Sequence, residues 1–243
     1  LNLNALQTTD VVGGTFSLAL LGMLASATFL LLATGWVARK WKLPVALSAL
    51  VALVAAADYF EAREVWLAAR QIPIIYQYCG WMITIPVQVL ALYFFAATVA
   101  SPGAALFWRL LIVAVLTVLV RYLGEAGFTH AALSFLIGIV GWLYILGECF
   151  FGRMNEIVVN SEDESLERGY FWLRLIVTIG WAIYPLCDFI ASFGGGADGG
   201  SRAIAYNLAD FINRIAFGLA ILAVAMNASG ATAPGDKAQA ASQ

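Results

Sequence analysis

The chain has 243 residues, 62% of them hydrophobic and 12% charged, with a net charge of −2. A soluble domain carries about 25% charged residues, so with a mean hydropathy of +0.86 the composition excludes a water-soluble globule, and the small net charge excludes a nucleic-acid-binding surface. Cys79, Cys149 and Cys187 lie scattered in apolar runs and His130 is the single histidine, so neither a metal site nor a disulfide is expected.

Crossing a bilayer as a helix takes about 20 apolar residues. Seven such runs follow one another at roughly 14–37, 44–69, 73–99, 105–123, 128–151, 170–193 and 201–226. Polar or turn-forming stretches separate them: ARKWKLP at 38–44, RQIP at 70–73, SPG at 101–103 and GEAG at 124–127. The long polar stretch 153–169 predicts one conspicuous loop between the fifth and sixth segments, and GGGADGG at 194–200 a connection before the seventh. The pattern predicts an all-α membrane protein, a seven-helix bundle over residues 1–227 with a flexible Ala/Gly/Ser/Pro-rich tail at 228–243. The chain begins at Leu1, which fits a removed N-terminal segment or an engineered start equally.

Basic residues set the expected orientation. Arg39, Lys40, Lys42, Arg109, Arg153, Arg168 and Lys237 fall on one side, against Arg70, Arg121 and Arg202 on the other. Positive residues stay in the cytoplasm, so the N-terminus is expected outside, the C-terminus inside, and membrane lipid is the expected surrounding.

Ionisable residues within apolar segments are costly and need partners. Asp210 and Arg214 are four apart and share a helix face, so each compensates the other. Asp58 and Glu61 lie on the second segment, Glu148 on the fifth and Asp188 on the sixth. His130 is expected at the surface, and the acidic run at 161–165 as a solvated loop. Small residues in the first two segments, LASA at 24–27 among them, permit close helix packing.

Several motifs together carry a family resemblance: YCGWMITIP at 78–86, GEAG at 124–127, GWAIYP at 180–185 and YNLADFINRIAFG at 206–218. They resemble microbial (type 1) rhodopsins of the proteorhodopsin kind, over about residues 10–226. The resemblance implies a retinal pocket between helices, oligomers, and a prokaryotic inner membrane. It also implies a chromophore-linking lysine on the seventh segment, at the position Arg214 occupies, which places the chain with a subgroup lacking that lysine. Imine formation needs a neutral amine, and a guanidinium stays charged with delocalised lone pairs. Lys40, Lys42 and Lys237 all lie outside the apolar segments, so no retinal Schiff base is expected.

The third segment departs in the same direction. The family pattern resembles R-Y-x-D-W-x-x-T-x-P…E, with an arginine, an acceptor aspartate and a donor glutamate. The same frame here reads Gln77, Tyr78, Gly80, Trp81, Thr84, Pro86 and Ala91. Gln77 and Gly80 thus stand at former counter-ion positions, Asp210 at a retained one, and Ala91 at the former donor. The family's acceptor-tuning histidine aligns with Asp58. Proton pumping needs titratable groups on both sides of the chromophore, so no pump and no enzyme is expected. The resemblance does keep a pocket lining of Tyr78, Trp81, Thr84, Trp142, Trp181, Tyr184 and Pro185.

Three functions remain open. The favoured one is a non-pumping opsin that associates with itself, with a functional rhodopsin, or with another membrane complex, in a structural or regulatory role. The second is a noncovalent binder of retinal, a retinoid or a carotenoid, acting as carrier or antenna. A passive ion channel or transporter ranks last, because no inverted repeat or broken helix pair is visible.

Overall fold

In the computed structural model, residues 9–193 and 199–230 are described. They form α1 (Val11–Ala33), a 3₁₀ turn (Arg39–Trp41), α2 (Lys42–Ala69), α3 (Ile74–Ala96), α4 (Ala104–Glu125), α5 (Ala131–Phe151), α6 (Arg153–Val159), α7 (Glu164–Leu175), a π turn (Ile176–Gly180), α8 (Trp181–Phe193) and α9 (Gly199–Gly230). Among the described residues, seven stretches are long and apolar enough to cross a membrane, the fifth being α5 with α6, and the sixth α7 running through the π turn into α8. The fold is an all-α seven-helix bundle.

Local chemistry sets the breaks. The Asp10 side chain caps α1 by accepting from the Gly13 N–H at 2.8 Å. Arg70 ends α2 in a left-handed conformation (φ 55°), and Pro73 is the residue from which α3 starts. Gly103 precedes α4 with φ 96°, a backbone state that glycine reaches at little cost.

The expected loop at 153–169 is instead largely helical. Gly152 interrupts the fifth segment, but α6 continues it beyond the break, and the Asp163 carboxylate starts α7 by accepting from Ser165 N–H at 2.9 Å and Leu166 N–H at 3.1 Å. Polarity there marks helix lying past the apolar zone, not absence of helix. At the other connection, 194–198 lie outside the described residues, and Gly199 and Gly200 already belong to α9. That helix runs to Gly230, past the expected start of the tail; residues 231–243, Lys237 included, lie outside the described residues.

Small residues let α1, α2 and α9 approach closely. Ala19, Ala27, Ala52 and Ala55 are buried, and a methyl added at Gly22 would lie 2.2 Å from the Phe211 ring. Larger side chains fill the end of the bundle nearest Arg174, where Trp41 meets Phe95 edge-on at 5.4 Å and Phe95 stacks on Tyr170 at 6.0 Å. Leu21, Ile112, Leu136, Ile179 and Ile212 project outward, as a helix bundle in lipid requires.

Candidate functional site

The sixth segment is irregular where it matters. A π turn at Ile176–Gly180 and Pro185 four residues past Trp181 both disturb the regular hydrogen-bond ladder. Side chains from neighbouring helices take up carbonyls there. Trp142 Nε1 donates to the Val177 carbonyl at 2.9 Å, and Asn213 Nδ2 donates to the Gly180 carbonyl at 2.8 Å. These bonds fix Trp181, Tyr184 and Pro185 toward the bundle axis.

Between α3, α4, α5, α8 and α9 they leave a cavity of about 100 Å³. Trp81, Trp142, Trp181, Tyr184, Pro185 and Tyr78 all line it. Trp81 meets Tyr184 edge-on at 5.2 Å and Tyr78 at 5.3 Å. Thr84 does not reach the cavity, contrary to the sequence expectation. Its hydroxyl turns back along α3 and donates to the Gly80 carbonyl at 2.9 Å, the usual way a helical threonine satisfies itself.

Arg214 and Asp210 form the polar wall of the cavity. Arg214 Nη2 donates to Asp210 Oδ2 at 3.0 Å, and both residues are buried. Tyr59 donates to the same carboxylate at 2.8 Å and Tyr184 to its other oxygen. Asp210 is therefore saturated. Arg214 is not: its Nη1 is buried without a hydrogen-bond partner, as is Nε2 of Gln88, and both residues line the cavity.

A second, polar hollow opens toward the Arg70 end of the bundle. Asp58, Tyr59, Gln77, Arg202, Asn207 and Asp210 are among its walls, and Trp81 and Asp210 separate it from the apolar cavity. Gly80 matters here. A methyl added to it would lie 2.5 Å from Asp58 Oδ2 and 2.7 Å from Asp58 Cγ. The Asp58 carboxylate, carried by α2, thus fills the space a side chain at position 80 would take. Asp58 interacts electrostatically with both Arg214 and Asp210.

The remaining ionisable positions separate. Asp188 is buried, lines the cavity, and accepts from Arg121 Nη2 and the Tyr206 hydroxyl. Arg121 also pairs with Glu125 at 2.7 Å and lies 4.9 Å from the Phe135 ring. Glu148 stands apart, 3.8 Å from Arg109. Glu61 is exposed and Ala91 is packed in the apolar core. Arg121, counted from the sequence only among the basic residues of the outer side, is largely buried and paired within the bundle.

Sequence reasoning also missed Tyr59, Gln88, Tyr206 and Asn213 as site residues. The spacing of Tyr206, Asp210, Asn213 and Arg214 on one helix face was a usable signal, as was the four-residue interval from Arg121 to Glu125. Gln88 offered one too, as an amide within an apolar segment.

Comparisons with known proteins agree with this architecture. Residues 11–228 match the bacteriorhodopsin-like protein family. The chain is 34% identical over 227 residues to the blue-light absorbing proteorhodopsin of gamma-proteobacterium Hot 75m4, covering 92% of this chain and 90% of that protein. It is 33% identical, with the same coverage, to the green-light absorbing proteorhodopsin of gamma-proteobacterium EBAC31A08. Among solved structures, blue light-absorbing proteorhodopsin from Med12 is 37% identical with a TM-score of 0.78, covering 90% of this chain and all of that one. Exiguobacterium sibiricum rhodopsin is 25% identical with a TM-score of 0.82, covering 91% of this chain and 99% of that one. The match spans all seven segments together with the cavity they enclose, and the chain belongs to the bacteriorhodopsin-like family, the microbial rhodopsins.

Proposed function

We propose that this chain is a multi-pass inner-membrane protein of the rhodopsin family that forms no retinal Schiff base and pumps no protons. It acts by association, with its own copies, with a lysine-bearing rhodopsin, or with another membrane complex. The observation that carries this reading is Arg214, buried in the cavity wall and bound to Asp210. A guanidinium supplies the positive charge Asp210 needs but not the nucleophilic amine an imine requires. Lys40 and Lys42 sit in the turn before α2 and at its first residue, and neither lines the cavity.

The proton relay is broken as well. Gly80 has no side chain, Gln77 faces the polar hollow, and Ala91 is enclosed by apolar neighbours. Asp210 balances the charge of Arg214, and the Ala91 position offers no proton donor. The test is illumination of proteoliposomes supplied with all-trans-retinal, together with co-purification from cells expressing a pumping rhodopsin. No light-driven pH change and a stable complex, homomeric or mixed, are expected. A light-driven pH change, or isolation only as a monomer without partners, would overturn the reading.

A second reading is favoured by the cavity itself. Its three tryptophans, two tyrosines and Pro185 line an apolar slot of about 100 Å³, which must widen to reach the about 300–1,000 Å³ of a small-molecule site. In this reading the protein holds retinal, a retinoid or a carotenoid without a covalent bond. Tryptophan quenching on titration with these compounds tests it, and absence of quenching would refute it.

A further inference from the structure

Three residues of the cavity lining carry a buried donor without a partner: Tyr78, whose hydroxyl lies toward Glu125, and Arg214 and Gln88. Arg214 Nη1 and Gln88 Nε2 are buried, lack hydrogen-bond partners, and lie on α9 and α3, both in the cavity wall. A buried donor left unpaired loses its hydration without replacement, a cost folded proteins rarely accept. Most other polar groups along this wall are satisfied within the protein. Asn213 donates to Gly180, Tyr184 to Asp210, Tyr206 to Asp188, and Thr117 to the Val113 carbonyl.

The charge around Arg214 restricts what the missing acceptor is. Asp210 already pairs with the guanidinium at 3.0 Å, and the Asp58 carboxylate lies within its electrostatic reach beyond Trp81. The guanidinium is therefore already neutralised before any ligand arrives. A carboxylate ligand would add an uncompensated anion beside Asp210, in a place where low polarity makes repulsion strong. A neutral oxygen adds none, and it suits the uncharged amide of Gln88 equally well.

We infer that the cavity takes an apolar molecule ending in an uncharged oxygen, a carbonyl or a hydroxyl, which accepts from Arg214 Nη1 and Gln88 Nε2 while the body of the molecule lies among Trp81, Trp142 and Trp181. The inference rests on the noncovalent-ligand reading above and adds the chemistry of the ligand's polar end. No bond is made or broken. The ligand is recognised by burial of its apolar length and by two donors at one end.

Three polyenes of one skeleton, all-trans-retinal, retinol and retinoic acid, differ only at that end. Each is titrated into the purified full chain, reading tryptophan quenching and retention through gel filtration. Retinal and retinol are expected to bind at least about tenfold more tightly than retinoic acid, since burying an uncompensated carboxylate beside Asp210 costs that much or more. Gln88→Leu removes one donor without breaking any bond in the protein. The pair Arg214→Met with Asp210→Asn removes the other while keeping the wall neutral. Each is expected to weaken retinal about tenfold and to leave retinoic acid nearly unchanged. Tightest binding by retinoic acid would overturn the uncharged-acceptor inference and leave the ligand reading standing. Unchanged retinal binding in both variants would remove the two donors from recognition. Failure of all three compounds to bind would defeat the ligand reading itself, and the inference with it.

Discussion

At position 214 the two terminal nitrogens of one arginine face different partners. Nη2 neutralises Asp210 inside the bundle, while Nη1 meets the cavity. Breaking a buried ion pair from one side leaves an uncompensated charge, at about 3–5 kcal/mol. Asp210→Asn is therefore expected to lower stability by about that amount in thermal unfolding in detergent. The double change Arg214→Met with Asp210→Asn should recover much of the loss, because no lone charge remains. Pairing of these two residues was legible in the sequence from their four-residue spacing. The role of Tyr59 was not, since nothing in α2 alone shows which helix its hydroxyl faces. Nor did the sequence show that Asp58 reaches Gly80, which is a contact between helices rather than a pattern along one of them.

Between α2 and α3 that contact makes a testable constraint. Asp58 fills the volume beside Gly80, so Gly80→Asp brings two carboxylates into the same space. Gly80→Asp alone is expected to destabilise the protein, and Asp58→Ala is expected to relieve most of that loss. In a double-mutant cycle read by thermal unfolding, a coupling of about 1–3 kcal/mol is predicted; additivity would show that the two positions do not share the space.

The start of α1 carries a pH dependence of its own. Burial pushes the Asp10 carboxyl upward, but hydrogen bonds from the Gly13 N–H, Arg70 and Trp66 outweigh it, and the net shift is downward. A carboxyl with a lowered folded value stabilises the protein above the unfolded value, about pH 4, and the contribution is lost as pH falls through the folded value. Acidification below about pH 4 is thus expected to lower the melting temperature of the parent protein more than that of Asp10→Asn. Equal losses in both would show that the cap and its ion pair with Arg70 add nothing. Helix ends such as this one were only partly readable from sequence. The expected first segment began at residue 14, whereas the Asp10 cap places its start at Val11 and takes in the apolar Val11 and Val12 ahead of Gly13 and Gly14. The polar stretch at 153–169 misled because hydropathy reports depth in the membrane rather than helicity.

For the molecule as a whole, the fold was legible because seven apolar runs separated by turn signals admit few arrangements. The aromatic cavity was legible because the motifs that place Trp81, Trp142, Trp181 and Tyr184 match a family with such a pocket. What the cavity does was harder to read, because it depends on Arg121, Gln88 and Asp188, whose meeting is set by tertiary packing. The retained fold and absent amine together describe a rhodopsin without covalent photochemistry. One measurement tests this most directly: all-trans-retinal is added to the purified chain in the dark, the visible spectrum is recorded, and borohydride is used to trap any imine. The predicted result is no red-shifted band and retinal that remains fully extractable, whereas Arg214→Lys should yield a visible band and a retinyl group fixed on the α9 peptide. A red-shifted, light-sensitive band in the parent protein, with retinyl fixed on Lys40, Lys42 or Lys237, would contradict it.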